Sequence, residues 1–164
     1  DKVFGQALSH EKNAKRRILV QIEQLGLFQK YGKYSKHALT SKDLFRSTQR
    51  NLLNNAQMTT FKFQLGKVAA VLQKQVVGKT YRRLSKIRRA KASQAITYFG
   101  YLSKLDQSKS DEYRYLQAET AFATKMNKDA YQYYKDTFRY SEKSKKTKPL
   151  KNLLNKTNMT PLLH

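Results

Sequence analysis

The 164-residue chain contains no cysteine, no tryptophan, only two prolines and only six glycines. Without a thiol it can form neither a disulfide scaffold nor a zinc site with thiolate ligands. No run of even ten apolar residues occurs, so we expect no membrane-spanning helix. The hydrophobic fraction of 39% and the aromatic fraction of 12% are nevertheless sufficient to build a packed core, and the length suits one domain.

Acidic residues are scarce: 11 Asp and Glu stand against 34 Lys and Arg, which gives a net charge of +23. Residues 44–105 contain no acid at all and carry a net charge of +13. Residues 106–142 are close to neutral, and residues 143–164 contain six lysines and no acid. Uncompensated charge of this density repels itself and weakens the fold. It therefore favours a polyanionic partner, which can be nucleic acid, an anionic glycoprotein coat or an acidic membrane surface.

Catalytic and cofactor-binding motifs are missing as well. His10 and His37 stand in polar, lysine-rich contexts, and no histidine pair has the H-E-x-x-H spacing of a zinc site. The glycines form neither a phosphate-binding loop nor G-x-G-x-x-G, and no nucleophile elbow is present. The adjacent acids Asp111 and Glu112 diverge on a helix and suit a helix start better than acid–base chemistry. We therefore predict a protein that is not an enzyme and uses no cofactor and no metal ion.

What the sequence does contain is helical periodicity. It predicts an all-α fold, an up-and-down bundle of about five helices that forms a single domain over residues 1–142. Residues 143–164 are predicted to be a basic tail with a short apolar docking segment. The predicted helices cover residues 9–25, a segment that starts at the capping box of Thr40 and Asp43, and residues 61–76, 81–105 and 110–138. Gly26 is expected to end the first helix and Gly78 the third.

Apolar stripes indicate which helix faces are buried. The second helix should bury Leu44, Thr48 and Leu52. The stripe of the third consists of Phe61, Leu65, Val68, Ala69, Leu72 and Val76, and that of the fifth of Leu116, Ala123, Met126, Ala130, Tyr134 and Phe138.

Basic and aromatic side chains of the third to fifth helices form the predicted binding surface. Lys67 and Lys74 share one face of the third helix, and Arg82, Lys86 and Arg89 share a face of the fourth. The predicted polyanion-binding residues are Lys67, Lys74, Lys79, Arg82, Arg83, Lys86, Arg88, Arg89 and Lys91. Exposed tyrosines suit recognition surfaces, because they offer an apolar ring and a hydroxyl; the alternative is that they are half-buried parts of the bundle. The predicted aromatic contacts are Tyr98, Phe99, Tyr101, Tyr131 and Tyr133.

Three stretches carry a family resemblance. They are Ile18-Leu-Val-Gln-Ile22, Ser35-Lys-His-Ala-Leu-Thr-Ser41, and Tyr81-Arg-Arg-Leu84 with the later Ile96-Thr-Tyr-Phe-Gly-Tyr-Leu102-Ser-Lys-Leu105. Over roughly residues 10–105 the chain resembles the abalone sperm lysin and sperm 18-kDa acrosomal protein family of marine gastropods. It departs from the lysins in lacking tryptophan and in having a longer C-terminus with a tyrosine-rich helix and a lysine tail. Both departures favour the paralogous branch.

The resemblance implies a secreted, non-enzymatic five-helix protein of the sperm acrosomal vesicle that acts at fertilization. Lysin binds an egg-coat glycoprotein and loosens the vitelline envelope stoichiometrically, whereas the paralogue acts on membranes in gamete fusion. The family's basic tracks fall on Lys67, Lys74, Arg82, Arg83, Lys86, Arg88 and Arg89.

The expected partner is therefore an anionic egg-coat glycoprotein or an anionic membrane surface, with a homodimer as a further candidate. The alternative function is that of a structural nucleic-acid-binding protein, such as an organellar ribosomal protein or a filamentous-virus coat protein. The acid-free segment 44–105 would suit a phosphate backbone equally well.

Overall fold

A computed structural model describes residues 14–77 and 86–141 of the chain. Within these two ranges the backbone forms six α-helices and one short 3-10 helix, and no β-strand. The helices are α1 (Ala14–Lys30), α2 (Tyr34–Gln49), α3 (Asn55–Val77), α4 (Lys86–Leu105), α5 (Ser110–Ala123) and α6 (Asn127–Ser141), with the 3-10 helix Gln107–Lys109 before α5. The predicted all-α fold is confirmed and is consistent with a helical bundle, although the described residues hold six helices where about five were expected.

The chain divides into two compact units, Asp1–Val68 (unit 1) and Ala69–His164 (unit 2), and the division falls within α3. In unit 1, α1 packs against α2. In unit 2, α5 packs against both α4 and α6. The assignment of residues 1–142 to one domain stays a prediction, and the basic tail at 143–164 lies outside the described residues.

The buried stripe predicted for α3 is confirmed residue by residue. All six of its members have no exposed surface: Phe61, Leu65, Val68, Ala69, Leu72 and Val76. The start of α3 is fixed by a reciprocal pair of hydrogen bonds, in which the Asn54 amide donates to Gln57 Oε1 and the Gln57 amide donates to Asn54 Oδ1, both at 2.9 Å. This is a capping box, and it satisfies two amide groups that a helix start otherwise leaves without partners. Gly78, the expected end of this helix, lies outside the described residues.

The expected end of the first helix at Gly26 is wrong. α1 continues to Lys30, because Phe28 extends the buried face, which includes Leu25, beyond the glycine. A single glycine inside a helix destabilises it by only about 1 kcal/mol relative to alanine, which this burial outweighs.

The expected start of the second helix at Thr40 is also wrong. α2 begins six residues earlier, at Tyr34, and its N-cap residue Lys33 makes no capping hydrogen bond through its side chain. The buried positions His37, Ser41, Leu44 and Thr48 form one continuous face at steps of four, three and four. Burial of this face therefore holds the first turn in the helix without a side-chain cap.

Three helix ends share one backbone geometry. In α1, α2 and α5 the residue two positions beyond the last helical residue has a positive φ: 64° at Gly32, 54° at Asn51 and 58° at Lys125. At α5, the Met126 amide donates to the Ala121 carbonyl at 3.0 Å and the Lys125 amide donates to the Phe122 carbonyl at 3.0 Å. These paired bonds define the Schellman motif, which usually has glycine at the left-handed position.

The Schellman motif at Lys125 divides the predicted fifth helix into α5 and α6. Beyond the turn, Ala130 and Tyr134 are buried as predicted, while the side chain of Phe138 lies outside the description. Before it the predicted stripe is wrong: Leu116 and Ala123 are only half-buried. The buried positions of α5 are instead Ser110, Gln117, Ala118, Thr120 and Ala121.

A candidate anion-binding surface

The predicted polyanion-binding residues fall into three groups. Lys79, Arg82 and Arg83 lie outside the described residues. Lys67 in unit 1, and Lys74, Lys86 and Arg89 in unit 2, are exposed, whereas Arg88 and Lys91 are half-buried.

Arg88 and Lys91 have partners within unit 2. The Nε and Nη2 groups of Arg88 both donate to the carbonyl oxygen of Val76, with Nε at 3.0 Å. Lys91 Nζ donates to Gln75 Oε1 at 2.8 Å. The last carbonyls of a helix lack intrahelical partners and carry partial negative charge, so a cation that binds there stabilises the helix end. These two side chains therefore fasten the start of α4 to the end of α3.

Two of the predicted aromatic contacts belong to the core. Tyr98 is 1% exposed and Phe99 3% exposed, on the buried face of α4. The Tyr98 hydroxyl accepts a hydrogen bond from Gln94 Nε2 at 2.9 Å, and the Phe99 ring stacks on Tyr113 with centroids 6.5 Å apart. Their assignment as contact residues is thus wrong, because packing against the core leaves neither ring accessible to a partner.

The other three predicted aromatic contacts, Tyr101, Tyr131 and Tyr133, are half-buried, as the alternative interpretation held. Burial raises the pKa of Tyr133, with a further contribution from the charges of Asp129 and Asp136, so its hydroxyl stays neutral at physiological pH. The Tyr131 ring lies under the Lys135 ammonium at 6.0 Å.

Among the described residues, the excess of bases over acids is larger in unit 1 than in unit 2. The described residues of unit 1 carry only two acids, Glu23 and Asp43. Against these stand eleven bases: Lys15, Arg16, Arg17, Lys30, Lys33, Lys36, Lys42, Arg46, Arg50, Lys62 and Lys67. All of them except the half-buried Lys62 are exposed. We call these eleven side chains the cationic surface of unit 1.

A groove of about 290 Å³ opens on unit 1 between α1 and α2. Its basic lining residues are Arg17 of α1, Arg46 of α2, and Arg50 just beyond α2. The remaining lining residues are Asp43, Gln21 and Ser47, which are polar, and Ala14, Ile18 and Leu52, which are apolar. Helical spacing explains the convergence, because steps of three and four bring these positions onto one face of each helix.

Hydrogen bonds and charge fix part of this groove. Arg46 Nη1 lies 3.7 Å from Asp43 Oδ1, and Ser47 Oγ donates to the Asp43 carbonyl at 3.1 Å. Gln21 is buried, while Leu52, which the sequence placed on a buried face, is exposed. The side chains of Arg17 and Arg50 make no hydrogen bond or ion pair with any described residue. The groove thus presents three guanidinium groups against one carboxylate.

Sequence reasoning missed this groove. The nine predicted cations were chosen from residues 67–91 of the acid-free segment. Arg17 lies outside that segment, and Asp43, just before it, shares the groove with the arginines. The available signal was the spacing of Asp43, Arg46, Ser47 and Arg50. Nothing in that spacing shows that Arg17, 26 or more residues earlier, lies opposite.

His37 is buried in unit 1, contrary to the polar surroundings expected from its neighbours in sequence. Ser41 Oγ lies 3.2 Å from its Nδ1. Burial lowers the pKa of His37 from 6.5 to about 4, because the charged imidazolium would lose its hydration. The side chain is therefore neutral at pH 7 and belongs to the core rather than to the cationic surface of unit 1.

The described ranges hold neither a metal-binding cluster nor a membrane-spanning helix. In residues 14–77 and 86–141, no three His, Cys, Asp or Glu side chains come close enough together to hold a metal ion. None of the helices described there combines the length and apolar character needed to cross a membrane.

Comparisons of the chain with protein-family models, with curated proteins and with solved structures find no match.

Proposed function

We propose that this chain is a non-enzymatic, secreted sperm protein of the acrosomal vesicle that acts at fertilization by binding the anionic glycoprotein coat of the egg. The observation that carries the proposal is the cationic surface of unit 1, whose described residues include eleven bases and only two acids. The resemblance to the gastropod sperm lysin and 18-kDa acrosomal protein family supplies the biological setting. Binding to the coat would open it stoichiometrically, without bond cleavage.

Exposed cations suit a polyanionic partner for a physical reason. A single exposed ion pair contributes only about 0–1 kcal/mol, but many cations on one surface raise the local potential and steer a polyanion toward it. Such steering increases the association rate and makes it depend on ionic strength. Binding of a multiply charged coat therefore requires no deep pocket.

Exposed apolar groups on unit 1 add contact area to these charges. Tyr31, Leu39 and Phe63 are each more than half exposed. The Lys67 ammonium lies 5.1 Å from the centre of the Phe63 ring, and the Lys30 ammonium lies 5.8 Å from that of Tyr31. A cation beside an exposed ring can hold an anionic group while the ring covers an apolar part of the same partner.

Two matched triple variants test the proposal. Lys30→Glu, Lys36→Glu and Lys67→Glu reverse three charges of the cationic surface of unit 1. Lys74→Glu, Lys86→Glu and Arg89→Glu reverse three exposed charges of unit 2. Binding of each variant to isolated egg-coat glycoprotein is measured at 50 and 200 mM NaCl. We expect the unit 1 variant to bind at least tenfold more weakly than the wild type, and the unit 2 variant to lose less.

Competition separates this function from its alternatives. Coat binding that withstands an equal charge concentration of RNA or of anionic phospholipid vesicles supports the proposal. Displacement of the coat by RNA would favour the nucleic-acid function, and displacement by vesicles would favour a role in membrane fusion. Unchanged coat binding by both triple variants, or equal losses in both, would contradict the assignment to unit 1.

A further inference from the structure

The groove of unit 1 has features that a general cationic surface does not require. Its basic groups are all arginines, although seven of the eleven described basic residues of unit 1 are lysines. A guanidinium presents a planar fork of donors that matches two oxygens of one anion, whereas an ammonium acts as a point charge. Three guanidinium groups around one groove can donate several hydrogen bonds to a single oxyanion. This arrangement favours a defined anion site over diffuse contact with a charged surface.

We propose that this groove binds one sulfate or phosphate monoester carried on a saccharide. This inference rests on the proposed function, since it names the chemical group of the glycoprotein coat that unit 1 recognises. Arg17 and Arg50, which have no partner among the described residues, bind the oxyanion oxygens. Arg46 contributes from its position beside Asp43.

The carboxylate of Asp43 distinguishes a saccharide from a bare ion. It lies in the lining with the arginines, where it repels an anion and offers only acceptors. A ligand that places hydroxyl groups against Asp43 and its oxyanion against Arg17 and Arg50 satisfies both. Sugars carry several hydroxyls within a few ångströms of an ester group. Gln21 and Ser47 supply further hydrogen-bonding groups in the same lining.

The size and apolar part of the groove agree with this ligand. The groove has a volume of about 290 Å³, and on this measure one water molecule needs only about 10–15 Å³, so a lone oxyanion would leave most of the groove to solvent. Ala14, Ile18 and Leu52 line one part of it. The C–H face of a sugar ring can cover these side chains while its ester reaches the arginines.

The test is a titration of the full-length protein followed by ¹H–¹⁵N NMR at pH 7 and 50 mM NaCl. The probes are glucose 6-sulfate, glucose 6-phosphate, inorganic sulfate and glucose. We expect either or both monoesters to shift the amides of the groove residues and to bind at least fivefold more tightly than inorganic sulfate. Glucose alone should cause no shift. The ratio of the two monoesters tells which oxyanion the groove prefers.

Matched variants locate the binding. Arg17→Gln and Arg46→Gln should each raise the monoester Kd at least fivefold. Arg16→Gln and Lys42→Gln make the same change of charge beside the groove but do not alter its lining, and should change Kd less than twofold. Asp43→Asn should bind inorganic sulfate two- to fivefold more tightly than the wild type and lose most of the preference for the sugar ester. Circular dichroism confirms that each variant is folded.

Three outcomes would overturn the inference. Inorganic sulfate that binds as tightly as the monoesters would mark an ion site without saccharide recognition. Shifts spread over both units would mark diffuse charge attraction. Arg17→Gln and Arg46→Gln variants with unchanged Kd would exclude the groove. The same measurements distinguish this failure from a failure of the proposed function. If the monoesters bind in the groove but the wild type does not bind the coat, the groove is a saccharide-ester site and the proposed coat binding is wrong.

Discussion

Acidification should destabilise unit 1 through His37. This side chain is buried on α2, and burial lowers its pKa to about 4 in the folded state. Its ordinary value of 6.5 applies once the chain unfolds. Between these two values the unfolded chain binds a proton that the folded chain excludes. The free energy of unfolding therefore carries no penalty from His37 above about pH 6.5, and it decreases as the pH falls toward 4.

The size of this effect follows from the two pKa values. One pKa unit corresponds to about 1.4 kcal/mol, and at pH 4.5 most of the shift has been expressed. The free energy of unfolding should then be lower than at pH 7.5 by about 2.5 kcal/mol. That is a substantial share of the roughly 5–15 kcal/mol typical of whole proteins.

The measurement is urea unfolding at pH 7.5 and 4.5, followed by far-ultraviolet circular dichroism, since the chain has no tryptophan to report by fluorescence. A His37→Gln variant provides the control. It keeps a polar side chain at this position but cannot be charged in this range. Every other titratable group is the same in both proteins, so the difference between the two pH-dependent losses isolates His37. Equal losses in wild type and variant would refute the reasoning.

Two further predictions concern backbone positions. Lys125 has a left-handed backbone conformation, which is unfavourable for any residue with a Cβ atom. Lys125→Gly should therefore raise the free energy of unfolding by about 1 kcal/mol, and Lys125→Val should lower it. The opposite order would contradict the Schellman motif. Gly66→Ala adds a methyl group with no atom within 4 Å and should stabilise α3 by about 0.5–1 kcal/mol. In Gly100→Ala the new Cβ would stand 2.9 Å from Gln117 Nε2, which donates to the Ile96 carbonyl, so this bond must shift and we expect no gain or a loss of about 1 kcal/mol. Thermal unfolding compares the two alanine variants, and equal stabilisation would show that Gln117 moves aside without loss.

The buried face of α3 could be predicted because each step from Phe61 to Val76 keeps to the helical period. Helix ends were harder. Glycine usually marks a helix end, yet α1 continues through Gly26. α5 ends at Ala123 and is followed by a left-handed turn at Lys125, which no glycine announces in the sequence. Such ends are set by the tertiary packing that follows them, which local composition does not contain.

Of the candidate site, only the sign of its charge could be predicted from the sequence. Counting residues showed that cations outnumber acids. It could not show that Arg88 donates a hydrogen bond to the Val76 carbonyl or that Tyr98 faces the core. Both facts depend on the rotation of α4 about its axis. The groove depends in addition on the pairing of α1 with α2, which brings Arg17 opposite Arg46.

The burial pattern of the aromatic and imidazole groups gives each unit its own spectroscopic label. The two fully buried tyrosines of the described chain, Tyr98 and Tyr134, both belong to unit 2. The described tyrosines of unit 1 are the exposed Tyr31 and the half-buried Tyr34. Near-ultraviolet dichroism should thus follow the core of unit 2. The imidazole resonances of the buried His37 follow the core of unit 1. One thermal melt recorded by both methods would show whether the two units lose their structure at the same temperature.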